Sequence, residues 1–159
     1  MELDTIEAKI GSLAPTFSLL ATNGQEISLS DFRGKTNVIL FFIRETSCWQ
    51  CRAHVSQLGK MYNDFKEAGA EILVILGEDV EQATAYAQAI KLPFPILCDP
   101  ERAVYHLYEL EKYFWLFQRT ASLVIDKDGI VRYLKRTTLP NIWLQESREL
   151  YGFVLSLES

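Results

Sequence analysis

The sequence predicts a layered α/β domain built on a mixed central sheet. Three observations predict it. First, apolar runs of strand length, Val38–Ile43 and Glu71–Leu76, alternate with stretches in which apolar residues recur every three or four positions. That alternation puts parallel strands beside crossover helices. Second, Asp128-Gly129 lies between the apolar runs Ser122–Asp126 and Ile130–Leu134. Asp-Gly between apolar runs is a strong hairpin signal, so antiparallel pairing joins the parallel strands. Third, Cys48-Trp49-Gln50-Cys51 begins five residues after Ile43, where a helical pattern takes over.

The elements follow in order. Asn23-Gly24 marks a turn between Phe17–Leu20 and Ile27–Leu29, which predicts a short paired segment. Ser30–Lys35 reads as a brief helical turn ended by Gly34. Val38–Ile43 is apolar on consecutive residues, as in a strand covered on both faces. The helix after the cysteines carries Val55, Leu58, Met61, Tyr62 and Phe65 on one stripe and stops at Gly69. Glu71–Leu76 is the next strand. A helix is expected over Val80–Ile90, an extended stretch over Phe94–Cys98 and a short helix beginning at Pro100. After the Asp128-Gly129 hairpin, Pro140 opens a last helix over Asn141–Leu157, with Ile142, Leu150, Val154 and Leu157 in phase. No repeat, low-complexity segment or linker interrupts the chain, so residues 1–159 are expected to form one domain.

The bulk properties narrow the function classes. The chain has 159 residues, 48% hydrophobic and 23% charged, the balance of an ordinary globular domain. A net charge of −5 provides no basic footprint for nucleic acid. No apolar run reaches the 18 or so residues of a membrane span. The segment Met1–Gly11 is acidic and lacks the apolar core of a secretory signal. The expected location is cytoplasmic, where a cysteine pair is more often catalytic or metal-binding than structural.

Two cysteines at a strand-to-helix junction point to redox chemistry. Unpaired N–H groups and the macrodipole at a helix start stabilise an anion. A thiolate there can have its pKa lowered from about 8.5 into the range of roughly 3.5–7.5. A second thiol one turn away can then close a disulfide. The spacing leaves other readings open. Cys-x-x-Cys is also half of a structural zinc site, which needs four ligands. Beyond the pair the chain offers only Cys98, His54 and His106. Two inert core cysteines are a third reading.

Several segments together resemble the peroxiredoxin-like redoxins, the alkyl hydroperoxide reductase and thiol-specific antioxidant group. They are Gly11–Leu19, Ile27–Lys35, the run from Val38 through the cysteines to His54, Leu92–Pro100 and Gln118–Gly129. The resemblance implies a thioredoxin-like three-layer fold: a central mixed sheet with helices on both faces. It implies a thiol-dependent oxidoreductase that uses Cys48 and Cys51 to reduce peroxides or protein disulfides, with no metal or bound cofactor. A thioredoxin-like electron donor would regenerate it. The pattern also departs from the family. With Cys51 aligned to the peroxide-attacking cysteine, Arg44 stands at the family's proline position and Cys48 at its threonine position. The slot beside the dithiol that thioredoxins fill with a cis-proline holds Thr120, whose hydroxyl can reach toward a thiolate. Arg119 stands one residue from the register of the positive group that peroxiredoxins hold near their cysteine.

Two assignments compete for the pair. In the thioredoxin-like one, Cys48 is the exposed nucleophile and Cys51 resolves. In the peroxiredoxin-like one, Cys51 attacks, becomes a sulfenic acid and is resolved by Cys48. Exposure favours Cys48. Trp49 reads as a surface aromatic over the dithiol, with a substrate platform as the alternative. Arg44 and Arg52 flank the pair, each either a partner for a thiolate or a solvated charge. His54 shares a helix face with Cys51 and is either a proton-transfer group or a surface histidine. Cys98 reads as a small buried hydrophobe. Tyr113–Phe117 is a dense aromatic run, expected in the core, at a homodimer face or in an apolar substrate groove. Two further classes stay open: a copper-handling module of the same fold, and an adaptor with vestigial cysteines.

Overall fold

The structure, a computed structural model, describes residues 9–110, 120–137 and 146–157. Among these the sheet has seven strands in the order β2-β1-β5-β4-β3-β6-β7. They are β1 (Ser18–Ala21), β2 (Glu26–Ser28), β3 (Asn37–Phe42), β4 (Ala70–Leu76), β5 (Ile96–Cys98), β6 (Thr120–Ile125) and β7 (Val131–Thr137). β3, β4 and β5 are parallel neighbours, while β1, β2, β6 and β7 join antiparallel. The mixed sheet is the one the sequence predicts.

The pleat sorts the core into two layers. Ile39, Phe41, Ile43, Ile72, Val74 and Leu76 point to one face and Val38, Leu40, Phe42, Leu73 and Ile75 to the other. Successive side chains of a strand alternate between faces, so consecutive apolar residues are needed only where both faces are covered. Each large apolar side chain buried this way contributes about 1.5–3 kcal/mol. The first face is covered by α1 (Trp49–Lys60), α2 (Tyr62–Glu67), α3 (Val80–Ala89) and α5 (Glu146–Leu157). The second is covered by α4 (Ala103–Leu107) and the N-terminal residues Ala14, Phe17 and Leu29. Helices therefore lie on both faces, unequally among the described residues.

Two boundaries depart from the expectation. The helix after the cysteines is two helices, because Met61 (φ −97°, ψ 8°) leaves helical geometry between α1 and α2. Gly59, a weak helix former, lies just before the break. Gly69 ends α2 at φ 86°, a left-handed conformation that glycine adopts without strain. The helix expected to begin at Pro100 begins at Ala103 instead. Its free N–H groups belong to Asp99: one carboxylate oxygen accepts from Ala103 at 3.1 Å, the other from Val104 and Tyr105 at 2.8 and 3.1 Å. The N-terminal part of the last predicted helix falls in residues 138–145, outside the described ones. From Glu146 onward the helix is as expected.

The hairpin at Asp128-Gly129 forms as predicted, with Gly129 at φ 84°. Asp126 ties it together. Its carboxylate accepts from the N–H groups of Asp128 and Ile130 at 2.9 and 3.0 Å and from Arg132 Nε at 2.6 Å. No helix of the described residues is long and apolar enough to cross a membrane.

Candidate active site

β3 runs apolar and fully buried to Phe42 and releases the chain at the end of the sheet where α1 begins. The turn between them is short. Cys48 N–H donates to the Glu45 carbonyl at 3.1 Å, and the Ser47 hydroxyl to the Glu45 carboxylate at 2.6 Å. No serine or aspartate caps the helix. Cys48 does so itself, with extended backbone (φ −75°, ψ 102°) and its sulfur accepting from Cys51 N–H at 3.2 Å. A sulfur thus occupies the place where an oxygen usually satisfies an orphan helix donor. Cys51, one turn in, receives Arg44 N–H on its sulfur at 3.5 Å. The two cysteines are joined as a disulfide, with Cα atoms 5.3 Å apart.

Both sulfurs therefore meet a backbone donor in addition to the dipole of α1. Such donors stabilise a thiolate more than a thiol, because a hydrogen bond to an ion is the stronger one. The exposure argument for ranking the two cysteines does not hold: Cys48 is 2% exposed and Cys51 0%. Trp49 is the exposed group of the motif, at 68%, on the first position of α1.

The flanking candidates separate. Arg44 contributes through its backbone. The Arg52 guanidinium lies 5.1 Å from the centre of the Tyr86 ring, a cation–π placement rather than a thiolate contact. Burial pushes the Tyr86 phenol up to about 12, against the opposing charge of Arg52. Thr120 is buried at the start of β6, and Phe42 pairs with Ala121. Thr120 thus lies at the dithiol end of the sheet. Arg119 and the aromatic run Tyr113–Phe117 lie outside the described residues.

His54 corrects the surface reading, being fully buried. Its ring meets Phe41 edge-on at 4.6 Å, and its Nε2 lies 3.9 Å from Glu146 Oε1. Glu146, itself buried, accepts from the Ser122 hydroxyl and pairs with Lys135 at 3.3 Å. Ser122 and Lys135 are cross-strand partners. This polar group ties α1, α5, β6 and β7 together beneath the dithiol helix. Sequence reasoning missed Glu146, although a signal was present: it stands four residues before Leu150 and eight before Val154, on the apolar stripe of α5.

Cys98 is a free thiol on β5, 4% exposed. Burial, reinforced by the charge of Asp79, pushes it up to about 11. It is the small hydrophobe expected of it. Among the described residues no three His, Cys, Asp or Glu side chains gather to hold a metal ion.

Residues 10–134 match the AhpC/TSA family. The chain belongs to that family. It is 32% identical over 125 residues to a chloroplastic peroxiredoxin Q of Triticum aestivum, covering 78% of this chain and 57% of that protein. It is 30% identical over 131 residues to the thiol-disulfide oxidoreductase ResA of Geobacillus kaustophilus, covering 82% and 71%. The chain spans less than two thirds of the length of the first plant relatives, 57% for the wheat protein and 61% for that of Suaeda salsa. Among solved structures, the peroxidoxin BcpB of Mycobacterium tuberculosis superposes with a TM-score of 0.84 at 18% identity, covering 95% of this chain and 99% of that one. A PrxQ mutant of Xylella fastidiosa also gives 0.84, at 11% identity and 95% and 98% coverage. At these identities the likeness is one of fold, and the thioredoxin-like architecture implied by the AhpC/TSA resemblance is the one found.

Proposed function

We propose that this AhpC/TSA protein is a thiol-dependent oxidoreductase that reduces peroxides or protein disulfides through Cys48 and Cys51. The observation that carries the reading is the bonded pair at the start of α1, each sulfur with a backbone N–H donor. Relatives named for both substrate classes, peroxiredoxin Q and ResA, support it.

With a peroxide, one thiolate attacks the distal oxygen and the O–O bond breaks. The alcohol leaves with a proton, and the sulfur becomes a sulfenic acid. The second thiol displaces water and the Cys48–Cys51 disulfide forms. With a protein disulfide, the thiolate attacks one sulfur and forms a mixed disulfide. The second thiol resolves it and the substrate leaves as a dithiol. Both branches end at the same disulfide. A thioredoxin-like dithiol donor returns two electrons and two protons, and the compartment proposed is the cytoplasm, whose reducing thiol pool sustains such a cycle.

The test is stopped-flow oxidation of the reduced protein, comparing hydrogen peroxide with a protein disulfide, followed by turnover with a thioredoxin-like donor. Formation of the Cys48–Cys51 disulfide by either oxidant at a rate above that of free cysteine supports the proposal. A pair that neither oxidant oxidises faster than free cysteine overturns it and leaves the adaptor reading.

A further inference from the structure

The peptide unit between Ile43 and Arg44 is held at both ends. Its N–H donates to Cys51 Sγ at 3.5 Å. Its carbonyl accepts from the Tyr105 hydroxyl at 2.6 Å. The same hydroxyl lies 3.1 Å from the Ile75 carbonyl, which also accepts Ile43 N–H at 2.9 Å. Tyr105 thus ties the ends of β3 and β4 from the face opposite α1. It is fully buried, edge-on to Phe42 at 5.1 Å, with the Arg102 guanidinium 5.2 Å from its ring centre. The Asp99 carboxylate anchors the backbone of Tyr105 itself.

We infer that Tyr105 is a positioning residue for Cys51, acting through the Ile43–Arg44 peptide. The inference rests on the dithiol reading above. A peptide is a resonance-coupled unit. Donation into its carbonyl polarises it and makes its N–H a stronger donor, the cooperative effect of hydrogen bonds in series. The bond also fixes where that N–H points. Both effects favour Cys51 as a thiolate, and through it the reduced form of the pair.

The charged and titratable groups around Cys51 have contacts that do not involve this hydroxyl. Arg52 lies over the Tyr86 ring, His54 lies beside Glu146, and Arg102 lies over the Tyr105 ring, which a phenylalanine would keep. A matched control exists. The Tyr108 hydroxyl is also buried and donates to a backbone carbonyl, that of Pro15 at 2.5 Å, and its ring packs on Phe42, but that bond leads to the N-terminal segment and not to a peptide that donates to either sulfur.

The experiment has two readouts. In glutathione redox buffers the two thiols pass two electrons and two protons to glutathione disulfide, which leaves as two glutathione molecules. Tyr105→Phe is expected to shift this equilibrium about threefold to tenfold toward the protein disulfide, or ~15–30 mV at about 30 mV per decade. In a Cys48→Ser, Cys98→Ala background, thiolate absorbance against pH follows Cys51 alone. Tyr105→Phe should raise the Cys51 midpoint, and Tyr108→Phe should leave both readouts in place. If Tyr105→Phe does not fold, difluorotyrosine placed site-specifically at position 105 keeps the shape, strengthens the donor and should lower the midpoint. Unchanged readouts, or equal shifts in the Tyr108 control, overturn the inference. A wild-type pair that does not cycle in these buffers overturns the dithiol reading instead.

Discussion

Three cysteines sit in the same apolar cluster, all nearly inaccessible, yet two are bonded to each other and one is a free thiol. Burial therefore does not distinguish the Cys48–Cys51 pair from Cys98. Backbone does. Cys48 and Cys51 stand at a helix start, where N–H groups are left over, and each sulfur collects one. Cys98 stands within β5, where the backbone groups serve the ladder with β1 and β4. Its thiol donates to the Ile96 carbonyl at 3.8 Å. Donors stabilise a thiolate and an acceptor does not, so desolvation acts on Cys98 unopposed. What separates the pair from Cys98 is the polar groups that the local fold leaves unspent, not depth.

The sharpest way to break this comparison is Cys51→Ser. Turnover with either oxidant should fall below about a hundredth of wild type, because the pair acts as a unit. Cys98→Ala should leave that same turnover unchanged. A loss of turnover in Cys98→Ala would make all three cysteines one redox system.

The next effect is on stability. Glu146 holds α5 to α1 and to the β6–β7 ladder through His54, Ser122 and Lys135. Glu146→Ala removes one partner of a buried ionic group and should cost about 3 kcal/mol, measured by denaturant unfolding. If the cost is under about 0.5 kcal/mol, the level of an exposed surface change, the cluster does not anchor the dithiol helix.

Cys98→Ala should cost less, about 1–2 kcal/mol for a small core truncation. The wild-type thiol also gives a pH signature. Its folded pKa is raised from 9.0 to about 11, so the stability it contributes is fully present below pH 9.0 and is lost as pH rises through about 11. Unfolding measured from pH 8 to 11 should show a steeper decline in wild type than in Cys98→Ala. Mass spectrometry of oxidised, alkylated protein should find Cys98 as the one free thiol, and a blocked Cys98 would reverse the assignment.

The smallest perturbation is Trp49→Phe. Trp49 is largely exposed and lies between the two thiols. Stability should move by less than about 0.5 kcal/mol, while most of the redox-linked change in tryptophan emission should vanish. Amplitude that survives would assign the signal to Trp115 or Trp143 and bring one of those segments to the dithiol.

The layered α/β class, the mixed sheet, the paired segment around Asn23-Gly24, the Asp128-Gly129 hairpin and the Cys48–Cys51 pair were all legible in the sequence. They depend on short-range patterns: consecutive apolar runs for strands, apolar residues every three or four positions for helices, Gly at turns, two cysteines one helical turn apart. Boundaries were less legible where a side chain overrides a local signal. Pro100 looks like a helix start, but Asp99 collects the N–H groups of residues 103–105 and moves the start to Ala103. His54 and Glu146 lie far apart in the chain, and neither names its partner in its own neighbours. Only the packing of α1 against α5 brings them together and buries both. The same holds for Tyr105, whose link to Cys51 passes through a peptide more than 60 residues away. By itself the sequence determined the class of fold and the place of the cysteine pair at a helix start, because local spacing encodes both. The tertiary structure decided which groups surround the sulfurs, because that depends on how strands and helices distant in sequence pack at one end of the sheet.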